Sequence, residues 1–381
     1  MRIAIIGGGI GGLTAALALR RAGFEPEVFE QAPALLDVGA AIAVWPNAMR
    51  ILQRLGIGGE VVAHGGVIKR ARWLKQDGRH LNEFALPDED APAVALHRAD
   101  LQATLRASIP PSSIHLGKQF EAYRTGLEIV RVSFTDGAFV ECDALIGADG
   151  LHSHVRAQML GDGDPVYRGY TVWRGIATLE HAKLPPDTAT EIYGIGRRFG
   201  IGPLGHNRTG WWATTNEPVS NVEASSEHKS KLLRLFEGWC APVNELIAAT
   251  PTERILRNAA YDRAPASRWG EGRVTLLGDA VHPLTPNLGQ GGCMAIEDAA
   301  VLTRCFEKYA DVRRALRSYE AHRRTRTATV SSYSRRYGAV GQWSSPRAVR
   351  LRGAMLSSIP ASVGRKLLRL IFDYDADAVP L

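Results

Sequence analysis

The sequence predicts an α/β protein in which a parallel-sheet nucleotide-binding core carries an inserted, β-rich second domain and ends in helices. Three observations carry this prediction. A strand-sized apolar run enters a glycine-rich turn and then an alanine- and leucine-rich helix within the opening residues. Two later apolar runs each end beside a glycine and an aspartate. Between those two lie about a hundred residues of strand-like alternation broken by Gly, Asn and Pro.

A chain of 381 residues exceeds what one compact core usually supports, so a large domain with a smaller partner is expected. Hydrophobic residues at 45% and charged residues at 22% exclude extensive disorder. The longest apolar stretches, such as Ile3 to Ile6 and Val274 to Leu277, fall far short of the roughly 20 residues that a membrane span needs, so no stable membrane insertion is expected. Met1 stands directly before a strand-like run with no room for a leader, which makes the cytoplasm the expected location. Cys142, Cys240, Cys293 and Cys305 form no CxxC pair and have no histidines at ligand spacing, so no metal site is expected. Much of the net charge of +7 comes from arginines between Arg313 and Arg352. Without a nucleic-acid motif beside them they read as a charge-rich helix face, and no nucleic acid is expected as a partner.

In chain order, Arg2 to Ile6 reads as a strand, Gly7 to Gly12 as a turn, and Leu13 to Ala22 as a helix. Gly7, Gly9 and Gly12 satisfy GxGxxG. The first glycine permits the turn, the second lets a pyrophosphate approach the backbone, and the third lets helix and strand pack closely, which makes the unit Rossmann-like. The phosphates would sit on the helix amino terminus. Glu30 closes the next strand about 20 residues on, where a carboxylate would accept hydrogen bonds from ribose hydroxyls. This unit alone does not separate NAD from FAD.

Cys142 to Gly150 reads CDALIGADG, and Val274 to Asp279 reads VTLLGD, followed by AVHPLTPNLGQGG to Gly292. Each is an apolar strand ending where open α/β sheets place ligand-binding loops. With GxGxxG at Gly7 to Gly12, the Asp149-Gly150 pair and the Gly278-Asp279 pair in this order, the chain resembles the single-component FAD-dependent aromatic hydroxylases, the p-hydroxybenzoate and salicylate hydroxylase-like flavoprotein monooxygenases, over about residues 1 to 335.

The resemblance implies a glutathione-reductase-like FAD-binding domain at 1–70, 96–164 and 266–340. It further implies a substrate-binding β-sheet domain at 71–95 and 165–265 and a C-terminal helical segment at 341–381. It also implies that Asp279 bonds a ribityl hydroxyl, and that Asp149 serves both FAD and the passing nicotinamide cofactor. Arg98, in the HRADL run, would meet FAD phosphate or ribityl oxygens. Pro286, Asn287, Gly289 and Gly291 would form the loop against the flavin, ahead of a helix whose dipole favours negative charge at the pyrimidine end. A turn-capping role is the alternative for either aspartate. One departure stands in the Val38 to Ile42 segment, where Ala41 occupies a position at which relatives commonly carry a second glycine.

The activity implied is NAD(P)H-dependent: NADH or NADPH reduces FAD, O2 adds at C4a to give a hydroperoxide, and one oxygen passes to an aromatic or conjugated small molecule, as hydroxylation or epoxidation. A halogenase or reductase of the same fold is the alternative, although the WxWxIP signature of halogenases is absent from this sequence. A non-catalytic flavin-binding protein is the remaining reading. The chain is expected as a monomer or homodimer.

Between the later motifs, Tyr170 to Thr178, Glu191 to Ile195, Arg198 to Pro203 and Thr209 to Thr215 read as strands, and Ser226 to Ala249 as helical. Trp173, Arg174, Tyr193 and Trp212 are the candidate substrate contacts, with Arg174 suited to a carboxylate or phenolate. Which of them face the cavity is open from alternation alone. His282 reads as a structural loop residue. Ala295 to Arg336 and Arg347 to Tyr374 read as helices, the latter with Leu367, Leu368, Leu370 and Ile371 on an apolar side for which docking on the core is the reading and membrane contact the alternative.

Overall fold

The computed structural model describes residues 1–34, 39–86, 90–178, 184–218 and 224–381; Val38 lies outside them, as does the side chain of Leu367. Among the described residues the strands form four sheets.

The first sheet runs in the order Gly270–Glu271, Val274–Leu276, Ala144–Gly147, Arg2–Ile6, Glu25–Glu30 and Ile114–Leu116, parallel except for its first pair. Its strands are buried on both faces, as all-parallel strands must be when helices cover them. Ile5 pairs with Ile146 on one side and Val28 on the other, each with none of its surface exposed. The Ile10–Arg21 helix buries almost its whole amino-terminal length because alanines at 15, 16 and 18 keep its surface shallow enough to pack against the equally buried Gly291–Lys308 helix. It ends at Ala22, ahead of Gly23 at φ +86°, a conformation that glycine adopts without strain.

The inserted sheet has seven strands in the order Leu256–Asp262, Val166–Thr178, Arg208–Asn216, Arg197–Pro203, Thr188–Tyr193, Arg70–Lys75 and His80–Ala85. Side chains alternate across it. Trp173, Ile192, Phe199, Ile201 and Trp211 point to one face and form a second core with Leu232, Phe236 and Leu246 of the covering helices. Arg174, Trp212 and Arg198 belong to the other face, where Arg198 bonds Asn287 of the loop that follows Val274–Leu276.

Three helices expected to be continuous are divided, each for a local reason. The Ser226 to Ala249 stretch is two helices, His228–Leu235 and Val243–Ala249, separated by a segment that ends in Pro242. Gly291–Lys308 and Val312–Gly341 are split where Asp311 caps the second helix, accepting from the Arg314 N–H at 2.7 Å. Pro346–Ser358 and Ala361–Phe372 part at Ile359-Pro360, because the residue before a proline is pushed out of helical geometry. No described helix is long and apolar enough to cross a membrane.

Candidate functional site

Four parallel strands deliver the predicted nucleotide residues to one edge. Gly7 follows Arg2–Ile6, Glu30 ends Glu25–Glu30, Asp149 lies two residues beyond Ala144–Gly147, and Asp279 lies three beyond Val274–Leu276. That edge is the carboxyl end of the sheet, where open α/β folds bind ligands. Gly7 takes φ +110°, and a Cβ there would lie 2.4 Å from the Ala148 carbonyl oxygen, so the first and second motifs are in direct contact.

The three glycines of the turn differ in what requires them. A Cβ on Gly12 would sit 2.0 Å from the Gly7 carbonyl oxygen, so close helix-to-strand packing excludes any side chain. Gly9 has ordinary extended geometry at the helix N-cap, and a Cβ there would meet no protein atom within 4 Å. Nothing in the protein itself calls for glycine at Gly9, whereas a pyrophosphate drawn onto the free N–H groups of the Ile10–Arg21 helix would. Glu30 holds the turn from the side, accepting from Gly8 N at 2.7 Å and Ala32 N at 2.8 Å. Each of its oxygens keeps a second lone pair for a ribose hydroxyl. Gln102, which the sequence reading did not single out, donates to the Gly8 carbonyl at 2.7 Å.

Asp149 and Asp279 are used differently. Asp149 accepts from Ser153 Oγ at 2.5 Å and from the His154 and Val155 N–H groups at 2.8 and 3.2 Å, so both oxygens cap the His154–Leu160 helix. Burial pushes its carboxyl above the usual range against those bonds. Among the described residues nothing donates a hydrogen bond to Asp279. Its side chain is reached by solvent yet enclosed deeply enough that desolvation raises its pKa, with His282 and Arg98 pulling the other way, so it lines a recess. Gly291, first residue of the long helix, would place a Cβ only 3.9 Å from Asp279 Oδ1, which sets that carboxylate beside the helix amino terminus.

Asp279 is held from behind by a clamp outside the sequence-predicted set. Asp298, with none of its side chain exposed, accepts from the Gly278 N–H at 2.9 Å, meets His282 Nε2 at 2.5 Å and accepts from Arg323 Nε at 2.7 Å. Burial opposes its ionisation, but His282 and Arg323 outweigh burial and hold it at about 2. His282 is thereby engaged, within the protein, as a partner of Asp298.

The facing sheet supplies the opposite wall. Arg174 and Trp212 pair across neighbouring strands. Arg174 bonds Asn258 Oδ1 at 3.2 Å; burial pushes its guanidinium below the ordinary value, Tyr170 raises it, and the positive field of Arg98 lowers it further. Arg98 thus lies within electrostatic reach of both Asp279 and Arg174, at the start of the Arg98–Ala107 helix.

Trp173 is not brought to this wall. It is fully buried on the far face, bonding Thr215 Oγ1 at 3.0 Å and packing edge-on against His228, because adjacent strand residues point in opposite directions. Tyr193 lies on the near face but is sealed by the carboxyl-terminal helices, bonded to Tyr337 and packed with Leu81 and Leu356. Both hold the sheet together.

The Asn287 side chain is engaged within the protein, accepting from Arg198 Nη2 at 2.5 Å and lying within donating distance of Tyr170 Oη, Thr285 Oγ1 and the Ser334 carbonyl. Arg198, wholly buried, further bonds Glu191 and Gln342 at 3.0 Å and lies over Trp212. This knot ties the Pro286–Leu288 turn to the inserted sheet. Gly289 follows it at φ +62°, where a Cβ would come within 2.9 Å of Trp45 Nε1.

The donor set suits FAD. It consists of a helix amino terminus with an unobstructed glycine, the Glu30 carboxylate beside that turn, and the Asp279 carboxylate next to a second helix amino terminus. The family described as FAD binding domain matches residues 1–334. The chain is 41% identical to the aurachin C monooxygenase/isomerase of Stigmatella aurantiaca over 360 residues, covering 93% of this chain and 94% of that protein. It is 37% identical to an FAD-dependent urate hydroxylase of Klebsiella pneumoniae over 333 residues, 85% of this chain and 86% of the relative. The crystal structure of Klebsiella pneumoniae HpxO complexed with FAD and uric acid superposes with a TM-score of 0.91 at 32% identity, covering 98% and 96% of the two chains.

Proposed function

The chain belongs to the FAD binding domain family and is an FAD-dependent monooxygenase; from that premise we propose that it takes NADH or NADPH as reductant and hydroxylates or epoxidises an aromatic or conjugated small molecule in the recess lined by Asp279, Arg98 and Arg174. Bound FAD supplies the redox chemistry, accepting electrons from the nicotinamide cofactor and activating O2 for transfer of one oxygen atom.

The residues of the chain bind, orient and shield. The Gly7 to Gly12 turn and the helix behind it take the pyrophosphate, Glu30 the adenosine ribose, Asp279 the ribityl chain, and the Gly289 to Gly291 backbone the pyrimidine end. Asp149 and Gly150 order the amino terminus of the His154–Leu160 helix, the surface along which the nicotinamide cofactor approaches. Arg98 balances Asp279 and the phosphates. Arg174 and Trp212 contact the substrate, the guanidinium meeting a phenolate, enolate or carboxylate and the indole stacking on its ring. The substrates in the relatives' names, aurachin C and urate, fall within the proposed range of hydroxylation or epoxidation of a conjugated small molecule.

What supports this reading is Asp279 beside the Gly291 helix terminus, with Arg98 in electrostatic reach of both Asp279 and Arg174. Purified protein is expected to carry FAD, and a screen of aromatic acids, phenols, quinolones and polyenes to find a compound that accelerates NAD(P)H oxidation with matching O2 uptake. Asp279→Ala is expected to lose most of the flavin. Flavin retention by that variant, or NAD(P)H oxidation without O2 uptake, contradicts the proposal.

A further inference from the structure

The carboxyl-terminal helices carry charge of one sign. Between Pro346 and Phe372 stand Arg347, Arg350, Arg352, Arg365, Lys366 and Arg369, with no acidic residue. Arg352 is turned inward onto the Gly194 and Gly341 carbonyls, and Arg369 reaches Asp373 at 3.9 Å. The other four stand at exposed positions.

Apolar side chains share that surface. Leu351 is 56% exposed, Met355 46%, Val363 46% and Leu370 52%, four of the ten large hydrophobic residues exposed among those described. Leu351 and Met355 are four residues apart, and Val363, Lys366 and Leu370 follow at three and four, so each helix presents one mixed apolar and cationic face.

Both faces look the same way. Asn82 donates to the Leu356 and Ile359 carbonyls at 2.9 Å, and Phe84, two residues along the same strand and so on the same side of the sheet, abuts Gly364. The two helices therefore lie on one side of one sheet edge, with their free faces turned away from it. They are fastened from inside, where Arg326 donates to the Leu370 and Ile371 carbonyls, Arg50 to that of Phe372, and Trp45 stacks on Phe372 at 4.6 Å. Trp45 in turn borders Gly289, so a single side-chain layer separates this hairpin from the recess.

We propose that the hairpin docks the enzyme on an anionic phospholipid surface. Arg347, Arg350, Arg365 and Lys366 meet lipid phosphates, while Leu351, Met355, Val363 and Leu370 enter the upper acyl region, the pattern of an interfacial amphipathic helix. A span is excluded for these helices, since 13 and 12 residues at about 1.5 Å each reach only two-thirds of a roughly 30 Å hydrocarbon core. Self-association through this face would set cations against cations, which an anionic bilayer does not. Delivery of a lipid-dissolved substrate to the recess is the use this docking has, a use that rests on the monooxygenase reading; the docking itself does not.

The test is flotation of the full-length, FAD-loaded protein with vesicles of phosphatidylcholine alone or with about one-third phosphatidylglycerol. Binding is expected to the anionic vesicles only and to weaken as salt is raised. At about fivefold per cation removed, Arg347→Glu/Arg350→Glu/Lys366→Glu is expected to lower the partition coefficient by at least roughly a hundredfold, and Leu351→Ser/Leu370→Ser to weaken it while keeping its salt dependence, both with unchanged flavin content. Equal binding to neutral and anionic vesicles, no binding to either, or partition indifferent to charge reversal overturns the proposal. So does a solution dimer that Leu351→Ser/Leu370→Ser dissociates. Lipid binding is read without any turnover, so a failed oxygenation assay leaves it standing and a failed flotation leaves the oxygenation reading standing.

Discussion

Alanine at Gly9 and at Gly12 should separate flavin binding from folding. At Gly12 the new methyl would sit 2.0 Å from the Gly7 carbonyl oxygen and 3.2 Å from its carbon, so strand and helix must move apart. Overpacking of this kind costs roughly 1–3 kcal/mol or more, and the apoprotein should melt several degrees lower. At Gly9 the methyl meets no protein atom within 4 Å, and φ −75° with ψ −178° suits any residue. Apoprotein stability should therefore stay within about 0.5 kcal/mol of the parent, or rise slightly through a less flexible unfolded chain. The same methyl stands where the pyrophosphate approaches. Displacing one charge-assisted hydrogen bond forfeits about 1.5–3 kcal/mol, a loss in FAD affinity of roughly 10- to 150-fold. Thermal melting of the two apoproteins and titration with FAD followed by quenching of flavin fluorescence read both quantities. Parental FAD affinity in Gly9→Ala, or a melting loss there as large as in Gly12→Ala, would refute the assignment of Gly9 to ligand contact.

Three further outcomes follow from side chains already placed. Arg174→Gln should keep its flavin but lose on the order of 10- to 100-fold in kcat/KM for an anionic substrate, as one hydrogen bond to a charged group is removed. Trp173→Phe, on the far face, should cost about 1–2 kcal/mol in urea unfolding through the lost Thr215 bond and volume, with kcat/KM unchanged. Asp298, held at about 2 against an ordinary 3.8, contributes stability that is fully present above about pH 4 and disappears as pH falls toward 2; the shift corresponds to about 2 kcal/mol. Asp298→Asn should remove that acid-side slope in denaturation curves and cost roughly 3–5 kcal/mol at neutral pH, because His282 and Arg323 lose a buried partner.

What the sequence made legible follows from how local each requirement is. The Gly7 to Gly12 turn is specified by sterics within a dozen residues, and its strand, Arg2–Ile6, appears at the predicted bounds. The strands from Val166 to Asn216 were visible as period-two runs, but period two does not say which phase faces inward. Trp173 and Trp212 were equivalent until pairing placed Arg174 opposite Trp212 and Trp173 on the other face. Arg198 and Asp298 passed unnoticed because a buried cation in a strand and a buried carboxylate in a helix look like their exposed counterparts until distant partners, Asn287 and Arg323, are known. The division of the final helix at Ile359-Pro360 was written in the proline itself and was readable.

A crystal of this protein grown with FAD tests the central claim most directly. The account predicts one continuous ligand, with its pyrophosphate at the amino terminus of the Ile10–Arg21 helix, its ribityl chain on Asp279, and its ring system between the Gly289 to Gly291 backbone and the wall bearing Arg174 and Trp212. Flavin density that bypasses Asp279, or that leaves the Gly9 helix terminus bare, would contradict it.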